Sequence, residues 1–206
     1  MADQRNGLPS DGERSWEAGR SAKPTGLVVL ASRSPQRRAI LEQLGVDFEV
    51  RPADVEEIED GDPFVAATEN AVRKARAVAG DLVLGADTVV ALEDQILGQP
   101  ADEGRAYEFV RALAGRTHLV IGGLAVRRGD EERTGSVATV VTFRDLEPSE
   151  IERYVASGEW RGRAGGYAIQ GRGATLVRTI EGDYLNVVGL SVAALLELTP
   201  ELRPAE

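Results

Sequence analysis

Residues 27–44, LVVLASRSPQRRAILEQL, predict a buried strand, a polar turn and an amphipathic helix in that order. Leu27 to Ala31 form an apolar run without alternation, which is typical of a strand that is covered on both faces. Ser34 then suits the N-cap position of a helix and Pro35 its first position. Apolar residues recur with helical spacing from there to Leu44, so the polar turn lies between a strand end and a helix start.

The start of this helix is a candidate site for an anion. The first N–H groups of a helix lack intrahelical partners and carry the positive end of the helix dipole. Three guanidinium groups, those of Arg33, Arg37 and Arg38, lie close by in a chain whose formal net charge is −10. A binding site for a phosphorylated ligand and an ordinary capped helix with solvated arginines are both compatible with this segment alone.

The chain length and composition predict one domain. The 206 residues, of which 42% are hydrophobic, suffice for one well-buried α/β domain, whereas two domains would each be small. Residues 1–25 are mostly polar and predict a disordered tail, which leaves residues 26–206 as the single domain. The absence of cysteine excludes disulfides and thiolate metal sites and fits a reducing cytoplasm.

The charge balance argues against two classes of partner. Lys and Arg together number 24 against 34 Asp and Glu, which disfavours broad binding to nucleic acid or to an anionic membrane. No apolar run approaches the roughly 20 residues needed to span a bilayer. The N-terminus also lacks the apolar core of a signal peptide. We therefore expect a cytoplasmic protein without nucleic-acid or membrane partners, for which a small polyanion remains a suitable ligand.

The rest of the chain alternates between strand and helix patterns. Strands are predicted over residues 46–51, 82–92, 118–126, 136–143, 174–180 and 184–188, with hairpin turns at 127–133 and 181–183. Helices are predicted over residues 62–80, 106–113, 147–155 and 191–198. Gly122 and Gly123 inside a strand indicate a bulge or a close backbone approach. The glycine-rich residues 160–173 precede a strand instead of a helix, so they predict a loop over a flat ligand and not a dinucleotide site.

Asp87 is the residue for which the sequence alone gives the strongest functional argument. It interrupts the apolar stretch LVLGADTVVAL, residues 82–92, together with Thr88. A carboxylate in such surroundings is costly unless it meets a cation, a metal or several hydrogen-bond donors. The alternative is a turn aspartate that accepts backbone N–H groups between two shorter strands.

Three further features leave alternatives open. The acidic run around Glu57 is either a solvated loop or a source of one metal ligand beside the phosphate site. Lys74, on an alanine-rich helix, is either solvated or a phosphate ligand. His118 is the only histidine, which excludes multi-histidine metal sites, and its position beside Thr117 favours a structural role.

Several segments, taken together and in order, resemble the Maf-like nucleoside triphosphate pyrophosphatases. They are ASRSPQRR at residues 31–38, AVRKA at 71–75, GADTVV at 85–90, GQP at 98–100, LAGRTH at 113–118, GGYAIQG at 165–171 and NVVGL at 186–190. The resemblance covers nearly everything after the tail. It implies an α/β fold like that of Maf and inosine-triphosphatase proteins, an elongated mixed sheet with flanking helices and a central cleft between two lobes. A homodimer is an option that it leaves open.

The resemblance also implies an activity and a set of site residues. A member of this family splits a nucleoside triphosphate between the α and β phosphates with a divalent cation, Mg²⁺ or Mn²⁺. The general base falls on Asp87, and Asp87 and Glu57 are the metal-side carboxylates. Substrate-binding positions fall on Ser32, Ser34, Arg37 and Lys74.

Three substrate-selecting positions of the family fall on Gln36, Thr88 and Gln170. Thr88 and Gln170 resemble the branch that acts on dTTP and UTP, whereas the branch that acts on 7-methyl-GTP tends to carry Gln and Glu there. A glutamine amide offers one donor and one acceptor, which can pair with the O and N–H edge of uracil or thymine. Gln36 stands where the dTTP/UTP branch usually has Arg, and Gln99 where a phosphate-contacting Lys is common.

These residues lead to one main hypothesis and two alternatives. The main one is hydrolysis of dTTP and UTP, and of modified pyrimidine nucleotides as an extension, to the monophosphate and pyrophosphate. The missing basic group at Gln99 leaves open a nucleotide-sensing regulator of cell division with slow hydrolysis. The third hypothesis is hydrolysis of 7-methyl-GTP or other modified nucleotides.

Overall fold

The computed structural model describes residues 27–203, so the tail predicted over residues 1–25 lies outside the described residues. The strands are β1 (Val28–Leu30), β2 (Phe48–Val50), β3 (Leu82–Leu92), β4 (Gln95–Leu97), β5 (Thr117–Arg128), β6 (Glu131–Phe143) and β7 (Val177–Glu181). The α-helices are α1 (Pro35–Gln43), α2 (Pro63–Arg76), α3 (Glu103–Leu113), α4 (Pro148–Ala156), α5 (Tyr184–Val188) and α6 (Val192–Leu198). Short 3₁₀ segments lie at Ala164–Gly166, Arg172–Leu176 and Pro200–Leu202.

Within residues 27–203 these strands form one mixed sheet in the order β2-β1-β3-β5-β6-β7, and β4 pairs with the end of β3. β1 runs parallel to β2 and to β3, while β3, β5, β6 and β7 pair antiparallel. The predicted α/β class, a mixed sheet with flanking helices, is therefore confirmed. None of the helices in the described range is long and apolar enough to cross a bilayer.

Both faces of the sheet are covered, which explains the continuous apolar runs of β1 and β3. α2 packs on one face, where Val29 and Val83 join its alanines in a core. On the other face, Leu30 and Leu84 join a larger core to which α1, α3, α4 and α6 contribute. Burial of each such side chain stabilises the fold by about 1.5–3 kcal/mol.

α2 lies very close to the sheet because two glycines make room for its backbone. A Cβ atom at Gly123 would lie 2.0 Å from the carbonyl oxygen of Ala67, and one at Gly85 would lie 2.1 Å from that of Ala71. The close backbone approach predicted at Gly122 and Gly123 is therefore confirmed at Gly123, and the pairing of β5 continues through both residues without a register shift. α2 consequently brings its side chains directly onto β3.

Asp87 and Thr88 do not break the apolar stretch into two strands. β3 continues from Leu82 to Leu92, and every residue of it except Thr88 is buried. The alternative of a turn aspartate between shorter strands is therefore wrong. The polar pair lies in mid-strand, so successive side chains point to opposite faces of the sheet.

The prediction of a strand over Tyr184–Val188 is wrong, because these residues form α5. Asp183 caps this helix by accepting hydrogen bonds from the backbone N–H groups of Leu185 and Asn186. Residues 182–183 accordingly connect β7 to this helix, so the hairpin turn predicted at residues 181–183 is also wrong. A five-residue apolar segment does not distinguish the two periods, and the Asp cap was the signal that favoured a helix.

Two strand starts and one further strand are among the differences from the prediction. β7 begins at Val177 instead of Ala174, because residues 172–176 form a 3₁₀ segment. β6 begins at Glu131, before the predicted Ser136, since Arg128 and Glu131 already pair across a tight turn. β4, which pairs with the end of β3, was not predicted.

Candidate functional site

A cleft of about 730 Å³ opens where β1 ends, α1 begins and β3 passes between them. The nine site residues that the family resemblance indicated all line this cleft: Ser32, Ser34, Gln36, Arg37, Glu57, Lys74, Asp87, Thr88 and Gln170. Residues 60 and more positions apart thus meet in one cavity. The cleft places them together, while the role of each remains a prediction.

The strand β3 divides the site into two halves. Asp87 points to the face that α2 covers, where it contacts side chains of that helix. Thr88 points to the opposite face, where its hydroxyl meets Arg37 of α1. The alternation of the strand therefore places a carboxylate and a hydroxyl on opposite sides of one backbone segment.

Asp87 and Lys74 form a buried ion pair at the α2 face. The Nζ atom of Lys74 donates to Oδ1 of Asp87 at 2.6 Å, and both side chains are less than a tenth exposed. The same Nζ atom lies 2.6 Å from Oε1 of Glu57, whose side chain is 37% exposed. Lys74 is therefore not a solvated helix lysine, because its ammonium group bridges two carboxylates.

Asn70 completes the surroundings of Asp87. Its Nδ2 atom donates to Oδ2 of Asp87 at 3.1 Å and to the carbonyl oxygen of Ile58 at 3.1 Å, and its Oδ1 atom accepts from Ile58 N–H at 2.7 Å. Both carboxylate oxygens of Asp87 thus accept a hydrogen bond from α2. These hydrogen bonds fix the orientation of Asp87 and offset the cost of burying its charge.

Arg37 links α1 to the other half of the site. Its Nε atom donates to the carbonyl oxygen of Gly189 at 2.8 Å, Nη1 to Ser32 Oγ at 2.9 Å, and Nη2 to Thr88 Oγ1 at 3.0 Å. Burial lowers the pKa of Arg37, and the negative charges of Asp87 and Glu57 oppose that effect. A cation therefore lies in the cleft wall with its donors held in a defined direction.

The helix start has the cap that the sequence predicted. Ser34 is the N-cap of α1, its hydroxyl accepts from Arg37 N–H at 3.4 Å, and Pro35 follows at the first helical position. The Oγ atom of Ser34 also donates to Oε1 of Gln36 at 3.2 Å. Arg33 lines the cleft, but Arg38 pairs with Glu42 at the surface and does not. The expectation that all three arginines surround the helix entrance therefore holds for Arg33 and Arg37 only.

The cleft also contains residues that the sequence did not nominate. Asn70 contacts Asp87, and Arg161 and Arg163 of the glycine-rich loop line the same cleft as Gln99. For Asn70 a signal existed, because it precedes Lys74 by four residues and shares its helix face. The glycines of residues 160–173 predicted a loop over a ligand, but the two arginines of that loop were not recognised as site residues.

The carboxylates of Asp87 and Glu57 fit a hard divalent cation. Both converge on one point, which the Lys74 ammonium marks. Within residues 27–203 no group of three or more Asp, Glu, His or Cys side chains comes together as a metal site. Mg²⁺ is commonly held by one or two carboxylates with phosphate oxygens and water as its other ligands, so this pair is compatible with it.

His118 lies behind the cleft wall and has a structural position. Its Nε2 atom is 2.9 Å from the hydroxyl of Tyr167, a cleft residue, and its ring contacts Tyr167 and Phe143 edge to face. Its Nδ1 atom is buried without a hydrogen-bond partner among the described residues. Desolvation by burial lowers the pKa of His118 from 6.5 to about 4.

This shift predicts how stability depends on pH. Because the pKa is lower in the folded protein, the unfolded chain binds the proton first, and His118 stabilises the fold fully only above pH 6.5. Between pH 7 and pH 4.5 this contribution falls by about 2 kcal/mol. The unfolding free energy of His118→Phe, measured with denaturant, should lack that part of the pH dependence. The carboxylates are the same in the variant and in the natural protein, so their contribution to the pH dependence cancels in the comparison. An unchanged difference in unfolding free energy between the two pH values would contradict the assignment.

Comparisons with known proteins give a matching family model and several named relatives. The family model described as Maf-like protein matches residues 27–202. A dTTP/UTP pyrophosphatase of Nitratidesulfovibrio vulgaris is 51% identical over 180 residues, which cover 83% of this chain and 85% of that protein. Proteins of the same name from Dictyoglomus thermophilum and Pyrococcus furiosus are 42% and 43% identical. Those matches cover 85% and 83% of this chain, and 95% and 93% of the relatives.

Proposed function

The chain belongs to the Maf-like protein family, and from that premise we propose that it is a nucleoside triphosphate pyrophosphatase that hydrolyses dTTP and UTP to the monophosphate and pyrophosphate. The observation that carries the proposal is the position of Asp87. Its carboxylate lies 2.6 Å from the ammonium group of Lys74, in the same cleft as the guanidinium group of Arg37. One base and two cations in one cavity suit attack on a phosphoanhydride.

The cations of the cleft bind the triphosphate. They are Arg33, Arg37, Lys74, Arg161 and Arg163. Arg37 and the helix start at Ser34 present oriented N–H donors, which stabilise negative charge better than flexible ones do. Gln99 stands where a phosphate-contacting lysine is common in the family. Arg161 and Arg163 line the same cleft and supply positive charge in its place.

Asp87 acts on the attacking water. Its oxygens retain free lone pairs beside the bonds to Lys74 and Asn70, so Asp87 can accept a proton from a water that attacks the α-phosphorus. The bond from that phosphorus to the α–β bridging oxygen then breaks, and the oxygen leaves with the pyrophosphate. Lys74 and Arg37 neutralise the charge that develops on this leaving group.

Asp87 and Glu57 are the residues that would hold a divalent cation, Mg²⁺ or Mn²⁺, in this proposal. When bound, such an ion withdraws charge from the phosphate oxygens and lowers the pKa of water. Lys74 lies between the two carboxylates in this structure, so its ammonium group would have to leave that point for a cation to be held there.

A pyrophosphate-release assay tests the function. The panel is dTTP, UTP, CTP, GTP and 7-methyl-GTP, each with Mg²⁺, with Mn²⁺ and with a chelator. Preferential release from dTTP and UTP that depends on the metal supports the proposal. Tight binding with almost no product would favour a nucleotide sensor, and preference for 7-methyl-GTP would favour the other branch of the family.

Gln170 selects the base in this proposal. Its replacement by glutamate, which turns the neutral amide into a carboxylate, is the sharpest test of this role. Gln170 is exposed in the cleft, where its amide can pair with the O and N–H edge of a pyrimidine. Gln170→Glu should lower the preference for dTTP and UTP over GTP by about tenfold, because a carboxylate offers no donor to the base oxygen.

The matched control is Gln95→Glu, an exposed glutamine on β4 outside the cleft lining. It adds the same charge and should leave the ratio of kcat/KM values across the panel unchanged. An unchanged ratio in Gln170→Glu would contradict base reading by this residue. Thr88 and Gln36 belong to the same set of substrate-selecting residues. The proposal also includes a cytoplasmic location and a homodimer.

A further inference from the structure

Gly122 lies beside Thr88 of β3, at a point where another element touches the sheet. Gly122 of β5 pairs with Thr88, just as Gly123 pairs with Asp87. A Cβ atom at Gly122 would lie 2.0 Å from Oδ1 of Asn186, a residue of α5. The absence of a side chain at Gly122 is therefore what admits Asn186 to this position.

Asn186 joins α5 to two strands. Its side chain is fully buried, and Nδ2 lies 3.0 Å from the carbonyl oxygen of Val120, 3.1 Å from that of Val137 and 3.0 Å from Thr139 Oγ1. Thr139 in turn donates to the carbonyl oxygen of Asp183, the cap of the same helix, at 3.0 Å. This network attaches α5 to β5 and β6.

The Oδ1 atom of Asn186 has no hydrogen-bond partner among the described residues. A buried acceptor without a donor costs stability, so the amide is a poor choice if its only task is to fill space. The amide therefore serves through its donor, the Nδ2 atom, which has three acceptors around it. α5 has only five residues, too few to be a stable helix by itself, and it depends on such contacts for its place.

α5 ends at the group that holds Arg37. Gly189 follows the helix, and its carbonyl oxygen accepts the hydrogen bond from Arg37 Nε at 2.8 Å. The other two nitrogen atoms of that guanidinium reach Ser32 and Thr88. A shift of α5 would therefore move the Gly189 carbonyl group and turn Arg37 away from both hydroxyl groups.

We infer that Asn186 is a positioning residue for the pyrophosphatase reaction, which sets the direction of Arg37 through α5, and that Gly122 is required because it leaves room for Asn186. The inference rests on the proposed function. Asn186 itself does not line the cleft, so it acts on the substrate only through Arg37.

The first test compares Asn186→Ala with Leu195→Ala. Leu195 is fully buried on α6, which also contacts β5 and β6, and it does not line the cleft. Asn186→Ala should raise KM for dTTP about tenfold with a smaller change in kcat, because the substrate-binding group is misplaced. Leu195→Ala should lower Tm without moving KM. If both variants lose Tm and neither changes KM, the inference is wrong.

The second test uses Gly122 and does not depend on the loss of the Asn186 amide alone. Gly122→Ala should displace Asn186 and raise KM as Asn186→Ala does, while the double variant should be no worse than either single one. Gly135→Ala is the control, since a Cβ atom there meets only the Leu198 side chain at an ordinary distance of 3.6 Å. Additive effects in the double variant would overturn the link between the two residues.

A third readout separates the inference from the proposed function. The Nε–H signal of Arg37, assigned in ¹⁵N spectra by its absence from Arg37→Lys, should be protected from solvent exchange in the natural protein. It should lose that protection in Asn186→Ala and keep it in Leu195→Ala. If the natural protein released no pyrophosphate and this pattern still appeared, only the proposed function would fail. Retained protection in Asn186→Ala would refute the positioning role.

Discussion

Asp87→Asn is expected to abolish measurable pyrophosphate release from dTTP and UTP while the protein stays folded. The substitution keeps the volume of the side chain, but the amide cannot take a proton from water, and its NH₂ group cannot accept the hydrogen bond that one of the two Asp87 oxygens accepts from Lys74 or Asn70. General base catalysis typically contributes 10²–10⁴-fold, so we expect kcat to fall by about 10³-fold. Thermal unfolding and a pyrophosphate assay on the same preparation measure both halves of the prediction.

The fold is expected to tolerate this substitution because Lys74 keeps a second partner. Its Nζ atom also lies 2.6 Å from Glu57, so the ammonium group is not left without a counter-charge. Asp102→Asn is the matched control, since Asp102 caps α3 outside the cleft and Asn caps helices equally well. Turnover near that of the natural protein in Asp87→Asn would refute the assignment of the base.

The sequence identified Asp87 because the physical cost of its position is local. An acid within eleven otherwise largely apolar residues needs a partner, whatever the rest of the chain does. The partner was not predictable to the same degree. Lys74 and Asn70 share a helix face, but only the packing of α2 against β3 shows that this face meets Asp87.

The C-terminal region shows where sequence reasoning stops. Residues 184–188 were predicted as a strand, and their true role depends on Asn186, whose acceptors on β5 and β6 lie 66, 49 and 47 residues away. Such contacts leave no periodic trace in a five-residue segment. Gly122 did leave a trace, as a glycine inside a strand, although the sequence could not name the side chain that it accommodates.

Lys74→Met is expected to have the second-largest effect, on stability and on turnover alike. Methionine keeps the apolar stem but removes the charge that lies between Asp87 and Glu57. Two carboxylates then face each other across a mostly buried space, and removal of one partner from a buried pair costs about 3 kcal/mol. We therefore expect a clear decrease in Tm, which thermal unfolding measures directly.

The effect of Lys74→Met on turnover should exceed what lost stability explains, because in the proposed mechanism the ammonium group also neutralises the leaving pyrophosphate. Removal of one such stabilising group lowers kcat by about 10²–10³-fold. Arg73→Met is the control, since Arg73 neighbours Lys74 on α2 but bonds Glu69 and the carbonyl oxygen of Glu56 outside the cleft. Assays well below the Tm of each variant separate chemistry from unfolding. If Lys74→Met then turned over dTTP as fast as Arg73→Met, Lys74 would serve only to balance two buried acids, and the leaving group would depend on Arg37 and the helix start.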